Sequence, residues 1–148
     1  MGRNTYEDLA RKWPVVKNWP NVDDGALRIG EIINSMPKLV AGSREKTGDL
    51  KWGDFEAPTA ITGNVEEEIS GLKKSEGGDI ITFGSPTLVR SLMNARLVDE
   101  LYIIVYPAIV DYGKPLFVDV TGRTDLKLKS AKTFDHGAMM VHYEIAKT

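Results

Sequence analysis

The sequence contains no cysteine, so several kinds of site are excluded at the outset. A chain without thiols can form no disulfide framework, no metal site with thiolate ligands and no cysteine nucleophile. Histidine is scarce as well, and neither His136 nor His142 has carboxylates or another histidine at the spacing of metal ligands. We therefore predict no metal site.

Long hydrophobic runs and an excess of one charge are also missing. No apolar stretch approaches the roughly 20 residues that span a bilayer, and the start of the chain has neither a basic leader nor an apolar signal core. The formal net charge of -2 argues against a broad basic surface for nucleic acid. The expected protein is cytoplasmic and binds neither membranes nor nucleic acid.

What is present indicates one α/β domain over residues 1–148. Of these residues 42% are hydrophobic and 27% are charged, as in ordinary globular proteins. Apolar residues at helical spacing predict helices at 6–13, 26–36, 65–72 and 86–93. Strands are predicted at 38–41, 60–62, 79–83, 101–110, 126–129 and 139–145, the last two forming a hairpin around Asp135-His136-Gly137. Helices alternate with strands before this hairpin, which predicts an α/β sheet with an antiparallel end.

The segment Gly84-Ser85-Pro86-Thr87 follows a predicted strand and opens a predicted helix. Ser85 suits the N-cap of that helix and Pro86 suits its first turn. The N–H groups of a first helical turn are unpaired and carry partial positive charge, so such a turn binds phosphate readily, and Gly84 allows close approach. A well-capped turn without any ligand is the alternative.

Two further segments have the same character. Gly2-Arg3-Asn4-Thr5 opens the first predicted helix, which Asn4 or Thr5 can cap, and Ser43-Arg44 follows a predicted strand. Arginine matches phosphate oxygens with two parallel hydrogen bonds. Taken alone, each segment is better explained without a ligand, Arg3 as a solvated residue at the start of the chain and Ser43-Arg44 as a polar loop. All three lie at junctions where α/β sheets bind their ligands, and together they predict one anion-binding site.

The order of several motifs resembles a known family. They are Gly2-Arg3-Asn4-Thr5-Tyr6-Glu7, Ser43-Arg44, Trp52, Gly78-Asp79-Ile80-Ile81-Thr82-Phe83-Gly84-Ser85, Leu97-Val98-Asp99-Glu100-Leu101 and Gly113-Lys114-Pro115-Leu116-Phe117. Over nearly the whole chain they resemble the dihydrofolate-reductase-like family that includes the reductase domain of the bifunctional riboflavin-biosynthesis deaminase/reductase, and its small stand-alone bacterial members. This resemblance implies a central, mostly parallel sheet flanked by helices, with a C-terminal antiparallel hairpin.

The resemblance also implies a function. The cofactor would be NADPH, and hydride would pass to a C=O or C=N bond of a small heterocyclic or sugar-derived substrate, as in 5-amino-6-(5-phosphoribosylamino)uracil reductase. In the family, the matching helix starts flank the cofactor's phosphates, and residues after the next strand lie near the adenosine 2′-phosphate. These roles correspond here to the following residues: Gly2, Arg3, Asn4, Thr5, Gly84, Ser85, Pro86 and Thr87 for the former, and Ser43 and Arg44 for the latter.

Relative to the family, the sequence lacks an N-terminal segment that carries most substrate-side residues, so a truncated domain is expected and no catalytic residue is predicted. The alternative function is a non-catalytic nucleotide-binding or assembly protein of the same fold. The apolar run at 101–110, or strand edges left by the missing segment, predicts a homodimer with two-fold symmetry.

Overall fold

The computed structural model describes residues 1–42 and 49–146. The chain divides into two units: the first ends at Leu88 and the second begins at Val89. Each unit is described by itself, and the single domain stays a prediction. No helix in the described ranges is long and apolar enough to cross a membrane.

The first unit contains helices around a short parallel pair of strands. Its elements are α1 (Arg3–Lys12), a 3-10 helix (Trp13–Asn18), α2 (Asp24–Ser35), β1 (Leu39–Ala41), β2 (Thr59–Ile61), α3 (Val65–Leu72) and the start of α4 (Pro86–Asn94). β1 and β2 run parallel, with Val40 opposite Ala60. The residues before α1 lie along the other edge of β1, where Gly2 forms a parallel bridge with Ala41.

Side-chain caps start two of these helices. Asp23 accepts a hydrogen bond from the N–H of Ala26 at the start of α2. Asn64 accepts bonds from the N–H groups of Glu66 and Glu67 at the start of α3.

The predicted cap of α1 by Asn4 or Thr5 is wrong. The helix begins at Arg3, so both residues lie inside its first turn, and the N-cap is Gly2 without any side-chain bond. The cause is tertiary: Gly2 is held in an extended conformation beside β1, and the helix starts immediately after this pairing ends.

The core of the first unit combines apolar side chains with a few paired polar groups. Its buried apolar members are Tyr6, Ile33, Val40, Leu50 and Trp52. The hydroxyl of Tyr6 donates to the carbonyl of Lys51 and accepts from its N–H, both at 2.8 Å. This pairing fixes α1 against the segment that carries Trp52.

The second unit is built on a three-stranded antiparallel sheet. Its strands are β3 (Glu100–Val105), β4 (Leu126–Thr133) and β5 (Met139–Ile145), in the order β3-β5-β4. β4 and β5 form the predicted hairpin, and Gly137 in its turn has a φ of +85°, which glycine adopts without strain. The hairpin is confirmed.

Two predicted strands need correction. Residues 79–83 form no strand, and Ile80, Ile81 and Phe83 are substantially exposed, because β-propensity alone provides no pairing partner. The strand predicted at 101–110 ends at Val105, because Val105 and Met139 are the last residues that pair between β3 and β5. Pro107 lies just beyond and has no N–H to donate to a ladder.

The α/β class is confirmed, but the sheet arrangement differs from the prediction. The described residues form one two-stranded parallel sheet and one three-stranded antiparallel sheet in place of a single, mostly parallel one. With residues 79–83 outside any strand, β1 and β2 are the parallel pair of strands among the described residues, beside the isolated parallel bridge of Gly2 and Ala41.

Candidate functional site

Two of the three predicted phosphate-binding segments lie in contact within the first unit. The Oγ of Ser85 accepts a hydrogen bond of 3.0 Å from the N–H of Gly2. The same oxygen lies 3.0 Å from Oγ1 of Thr5. Residues 80 and more positions apart in the chain thus join the start of α1 to the turn that precedes α4.

The turn before α4 has an unusual backbone. Gly84 and Ser85 are both left-handed, with φ values of +60° and +56°. Glycine adopts this conformation freely, whereas serine adopts it only where its surroundings enforce it. α4 begins at Pro86, as predicted. Ser85 differs from a usual N-cap residue, whose backbone is extended, and its hydroxyl is bonded to the start of α1.

The two glycines of the site have different roles. A methyl group on Gly2 would overlap Oγ of Ser85, so the absence of a side chain permits the contact between the two segments. A methyl group on Gly84 would find Oγ1 of Thr5 as its nearest neighbour, 3.9 Å away. No closer protein atom surrounds that position, so the backbone at Gly84 is uncrowded and a ligand could approach it.

Arg3 supplies the positive side chain of the site. Its Nε donates to Oε1 of Glu7 at 2.8 Å, and its guanidinium lies 5.2 Å from the centre of the Tyr6 ring. The bond to Glu7 is formed by Nε, so the two terminal amino groups of the guanidinium take no part in this bond. Arg3 is the first residue of α1, and these contacts orient its side chain along the first turn of the helix.

The remaining predicted residues are distributed as follows. Asn4 and Thr87 are exposed in the first turns of α1 and α4, and Pro86 is half-buried at the first position of α4. Ser43 and Arg44 lie outside the described residues, so their part in the site stays a prediction.

The chemistry of the assembled groups suits a phosphate. Two helix starts present the positive ends of their dipoles and first-turn N–H groups that have no acceptor within their own helix, although Pro86 of α4 has no N–H, and Arg3 adds a guanidinium. The hydroxyls of Thr5 and Ser85 add further hydrogen-bonding capacity. The nearby carboxylate of Glu7 is paired with Arg3. In the described ranges no three metal-binding side chains come together.

One polar atom beside the turn was not singled out from the sequence. Oγ1 of Thr82 is buried and has no hydrogen-bond partner among the described residues. Buried hydroxyls are usually paired, so an unpaired one next to a candidate site is notable. The sequence predicts a strand at 79–83, and nothing in that prediction singles out Thr82.

A second cluster that the sequence did not reveal lies in the second unit. Nε2 of His142 is 3.0 Å from Oε2 of Glu100, and the ring of Tyr102 stacks on the imidazole at 4.1 Å. A histidine and a carboxylate at this distance form a hydrogen bond. The cluster depends on the register of β3 and β5, which places Tyr102 opposite His142 and which no local sequence pattern indicates.

Comparison with known sequences identifies relatives along the whole chain. The profile of the RibD C-terminal domain family matches residues 1–140. The chain is 38% identical over 143 residues to the uncharacterized protein YwjB of Bacillus subtilis (strain 168), covering 97% of this chain and 70% of YwjB. It is 39% identical over 83 residues to the uncharacterized protein YyaP of the same organism, covering 56% of this chain and 44% of YyaP. The match thus spans less than half of YyaP.

Solved structures show the same fold. A protein from Shewanella sp. PV-4 assigned to riboflavin biosynthesis aligns with a TM-score of 0.65 and 15% identity, over 84% of this chain and 71% of that protein. A pyrimidine reductase-like protein from Corynebacterium diphtheriae aligns with a TM-score of 0.62 and 14% identity, over 99% of this chain and 75% of that protein. These likenesses confirm the predicted dihydrofolate-reductase-like fold. Since the family profile covers residues 1–140 of 148, this chain belongs to the RibD C-terminal domain family, as its motifs predicted.

Proposed function

We propose that this chain is an NADPH-dependent reductase of the riboflavin-biosynthesis type. It would transfer hydride to a C=O or C=N bond of a small heterocyclic or sugar-derived substrate related to 5-amino-6-(5-phosphoribosylamino)uracil. The observation that carries the proposal is the contact of the two helix starts through Ser85. Family membership supports it, as do structural neighbours assigned to riboflavin biosynthesis and to pyrimidine reductase-like proteins.

The described residues fit the phosphates of such a cofactor. The first-turn N–H groups of α1, and those that follow Pro86 in α4, would bind the diphosphate, and Arg3 would neutralise part of its charge. Gly84 leaves its backbone open for close approach. When bound, NADPH supplies the hydride, and the protein's task is to bind and orient the two reactants.

Preference for NADPH over NADH would come from the predicted pair Ser43 and Arg44. A guanidinium and a hydroxyl together can meet the additional 2′-phosphate with charge-assisted hydrogen bonds. Arg44→Ala should therefore weaken NADPH binding and leave NADH binding nearly unchanged. Equal affinities of the parent protein for the two cofactors would contradict this part of the proposal.

Calorimetric titration with NADPH tests the site, and the chain offers a matched control for it. Arg3→Gln should weaken binding by roughly tenfold or more, because a hydrogen bond to a charged group contributes about 1.5–3 kcal/mol. Arg11→Gln makes the same change of charge on the same helix, at a residue whose Nε donates to the carbonyl of Glu7 and which lies in the last turn. It should leave binding within about twofold of the parent.

Two results would count against the proposal. If Arg3→Gln and the parent bind NADPH equally, the phosphate does not lie at the start of α1. If NADPH binds tightly but is not oxidised with any pyrimidine or sugar-derived acceptor, the alternative is favoured, namely a non-catalytic nucleotide-binding or assembly protein.

The proposal includes a homodimer in the cytoplasm, where such a reductase would meet its cofactor and substrate. In the second unit, large side chains are strongly exposed, with relative accessibilities of 64% for Tyr106, 70% for Val110 and 83% for Tyr112. Apolar surface of this kind commonly becomes buried between symmetric copies. Light scattering should show a dimer at micromolar concentration, and a monodisperse monomer would contradict it.

A further inference from the structure

We infer that Ser85 is a positioning residue, whose hydroxyl holds the start of α1 against the turn before α4 so that both helix starts act on one diphosphate. The inference rests on the proposed function, because it concerns how the NADPH site is organised. It assigns to Ser85 a role through Gly2 and Thr5, distinct from capping its own helix.

The hydrogen-bonding capacity of the hydroxyl supports this role. A serine hydroxyl has one hydrogen to donate and two lone pairs that accept. The N–H of Gly2 takes one lone pair, and the contact with Thr5 uses either the hydrogen or the second lone pair. One of the two hydroxyl hydrogens of Thr5 and Ser85 therefore forms the bond between them, and the Ser85 oxygen also accepts from Gly2.

The backbone of Ser85 fits the same interpretation. At a φ of +56° the residue is in a conformation that L-amino acids rarely adopt, and it persists where surrounding contacts determine it. The contacts that surround its side chain are those to Gly2 and Thr5. Gly2 has no side chain, and one methyl group there would occupy the position of the Ser85 hydroxyl. The contact among Gly2, Thr5 and Ser85 therefore requires a residue without a side chain at position 2.

A connecting role and a direct contact with the ligand predict different results when two hydroxyls are removed. If Ser85 and Thr5 each bound the phosphate independently, the effects of removing them would multiply. If they act through the bond between them, removing either hydroxyl abolishes the same connection. The second removal then adds little.

The test is a double-mutant cycle read by NADPH affinity. Ser85→Ala and Thr5→Val should each weaken NADPH binding by about three- to tenfold. The double variant should bind NADPH with the same affinity as the single variant that binds it less tightly. Thr5→Ser keeps the hydroxyl and should bind like the parent. Ser35→Ala removes a hydroxyl bonded to the carbonyl of Ile32 within α2 and should also bind like the parent. Multiplying effects, or parental affinity in Ser85→Ala, would overturn the inference.

A second readout keeps the inference separate from the proposed function. Amide hydrogen exchange of Gly2, followed by NMR without any ligand, should be faster in Ser85→Ala than in the parent and unchanged in Ser35→Ala. Faster exchange in Ser85→Ala supports the connection between the two helix starts even if the parent protein fails to bind NADPH. That failure would overturn the proposed function, and with it the role of the connection in diphosphate binding. Unchanged exchange in Ser85→Ala would overturn the connection.

Discussion

The side-chain amide of Asn34 bonds to the indole of Trp52 in the interior of the first unit. The Nε1 of Trp52 donates to Oδ1 of Asn34 at 2.7 Å, and Nδ2 of Asn34 donates to the carbonyl of Trp13 at 3.0 Å. Trp52 is fully buried, so no water competes for its N–H group. One side chain of α2 therefore ties together the 3-10 helix and the segment around Trp52, which in turn holds α1 through Tyr6.

Replacing Asn34 by leucine should destabilise the protein by about 2–4 kcal/mol. The substitution removes both hydrogen bonds of Asn34 and leaves the fully buried N–H of Trp52 without its partner, and an unsatisfied buried group costs roughly 1–3 kcal/mol. Urea unfolding measures the change. In a Trp52→Phe background the indole N–H is absent, so Asn34→Leu should cost clearly less there. An equal cost in both backgrounds would show that the bond does not contribute.

Lys38 should make the stability of the fold depend on pH in the alkaline range. Its Nζ donates to the carbonyls of Asn34 and Met36 and lies 4.8 Å from the centre of the Trp52 ring. Burial lowers the pKa of Lys38 from its ordinary value of 10.5, and the negative charge of Glu56 partly opposes this. The unfolded chain then binds more protons between the two pKa values, so the free energy of unfolding rises as the pH increases through that window.

The variant Lys38→Met should lack this rise. Glu56→Gln removes the opposing charge, so it should lower the pKa of Lys38 further and move the start of the rise to lower pH. Urea unfolding of the three proteins across the alkaline range measures both effects. Parallel pH profiles for Lys38→Met and the parent would contradict the assignment.

Gly30 should tolerate a methyl group only when Val16 is made smaller. A Cβ on Gly30 would overlap Cγ1 of Val16, and both residues are buried where α2 meets the 3-10 helix. Gly30→Ala should therefore destabilise the parent by about 1–3 kcal/mol through overpacking. In a Val16→Ala background the same change should instead stabilise by up to about 1 kcal/mol, because alanine favours a helix over glycine. Thermal unfolding should show this change of sign, and destabilisation in both backgrounds would argue against the contact.

Gly84 should differ from Gly122 in ligand binding but not in stability. Both have positive φ, +60° and +73°, and a Cβ at either would meet no protein atom closer than 3.9 Å, so alanine at either should cost about 1–2 kcal/mol of backbone strain. Only Gly84→Ala should weaken NADPH binding, because its side chain would enter the space proposed for the phosphate. Calorimetry and urea unfolding of the two variants separate the effects. Equal NADPH affinities would place the phosphate elsewhere.

The site residues could be predicted from the sequence only as separate segments. Gly2–Thr5 and Gly84–Thr87 were selected because each opens a helix, and α1 and α4 do begin at Arg3 and Pro86. Their contact depends on a hydrogen bond between residues 83 positions apart, which no local pattern encodes. The third segment, Ser43 and Arg44, stays a prediction.

The register of the antiparallel sheet was equally beyond local patterns. Alternating residues identified the strands of the second unit, but the pairing of Tyr102 with His142 depends on how β3 aligns with β5. The end of β3 at Val105 follows from that alignment as well, since the apolar pattern itself continues to Val110.

By itself, the sequence determined the features that arise from neighbouring residues. The cap at Asn64, the start of α4 at Pro86 and the hairpin turn at Gly137 each follow from backbone preferences and hydrogen bonds within a few residues. Only the tertiary structure decided that residues 79–83 stay unpaired and that Ser85 turns to Gly2 and Thr5. The reason is that strand pairing and buried hydrogen bonds need partners from distant parts of the chain, and the packing of the whole unit selects those partners.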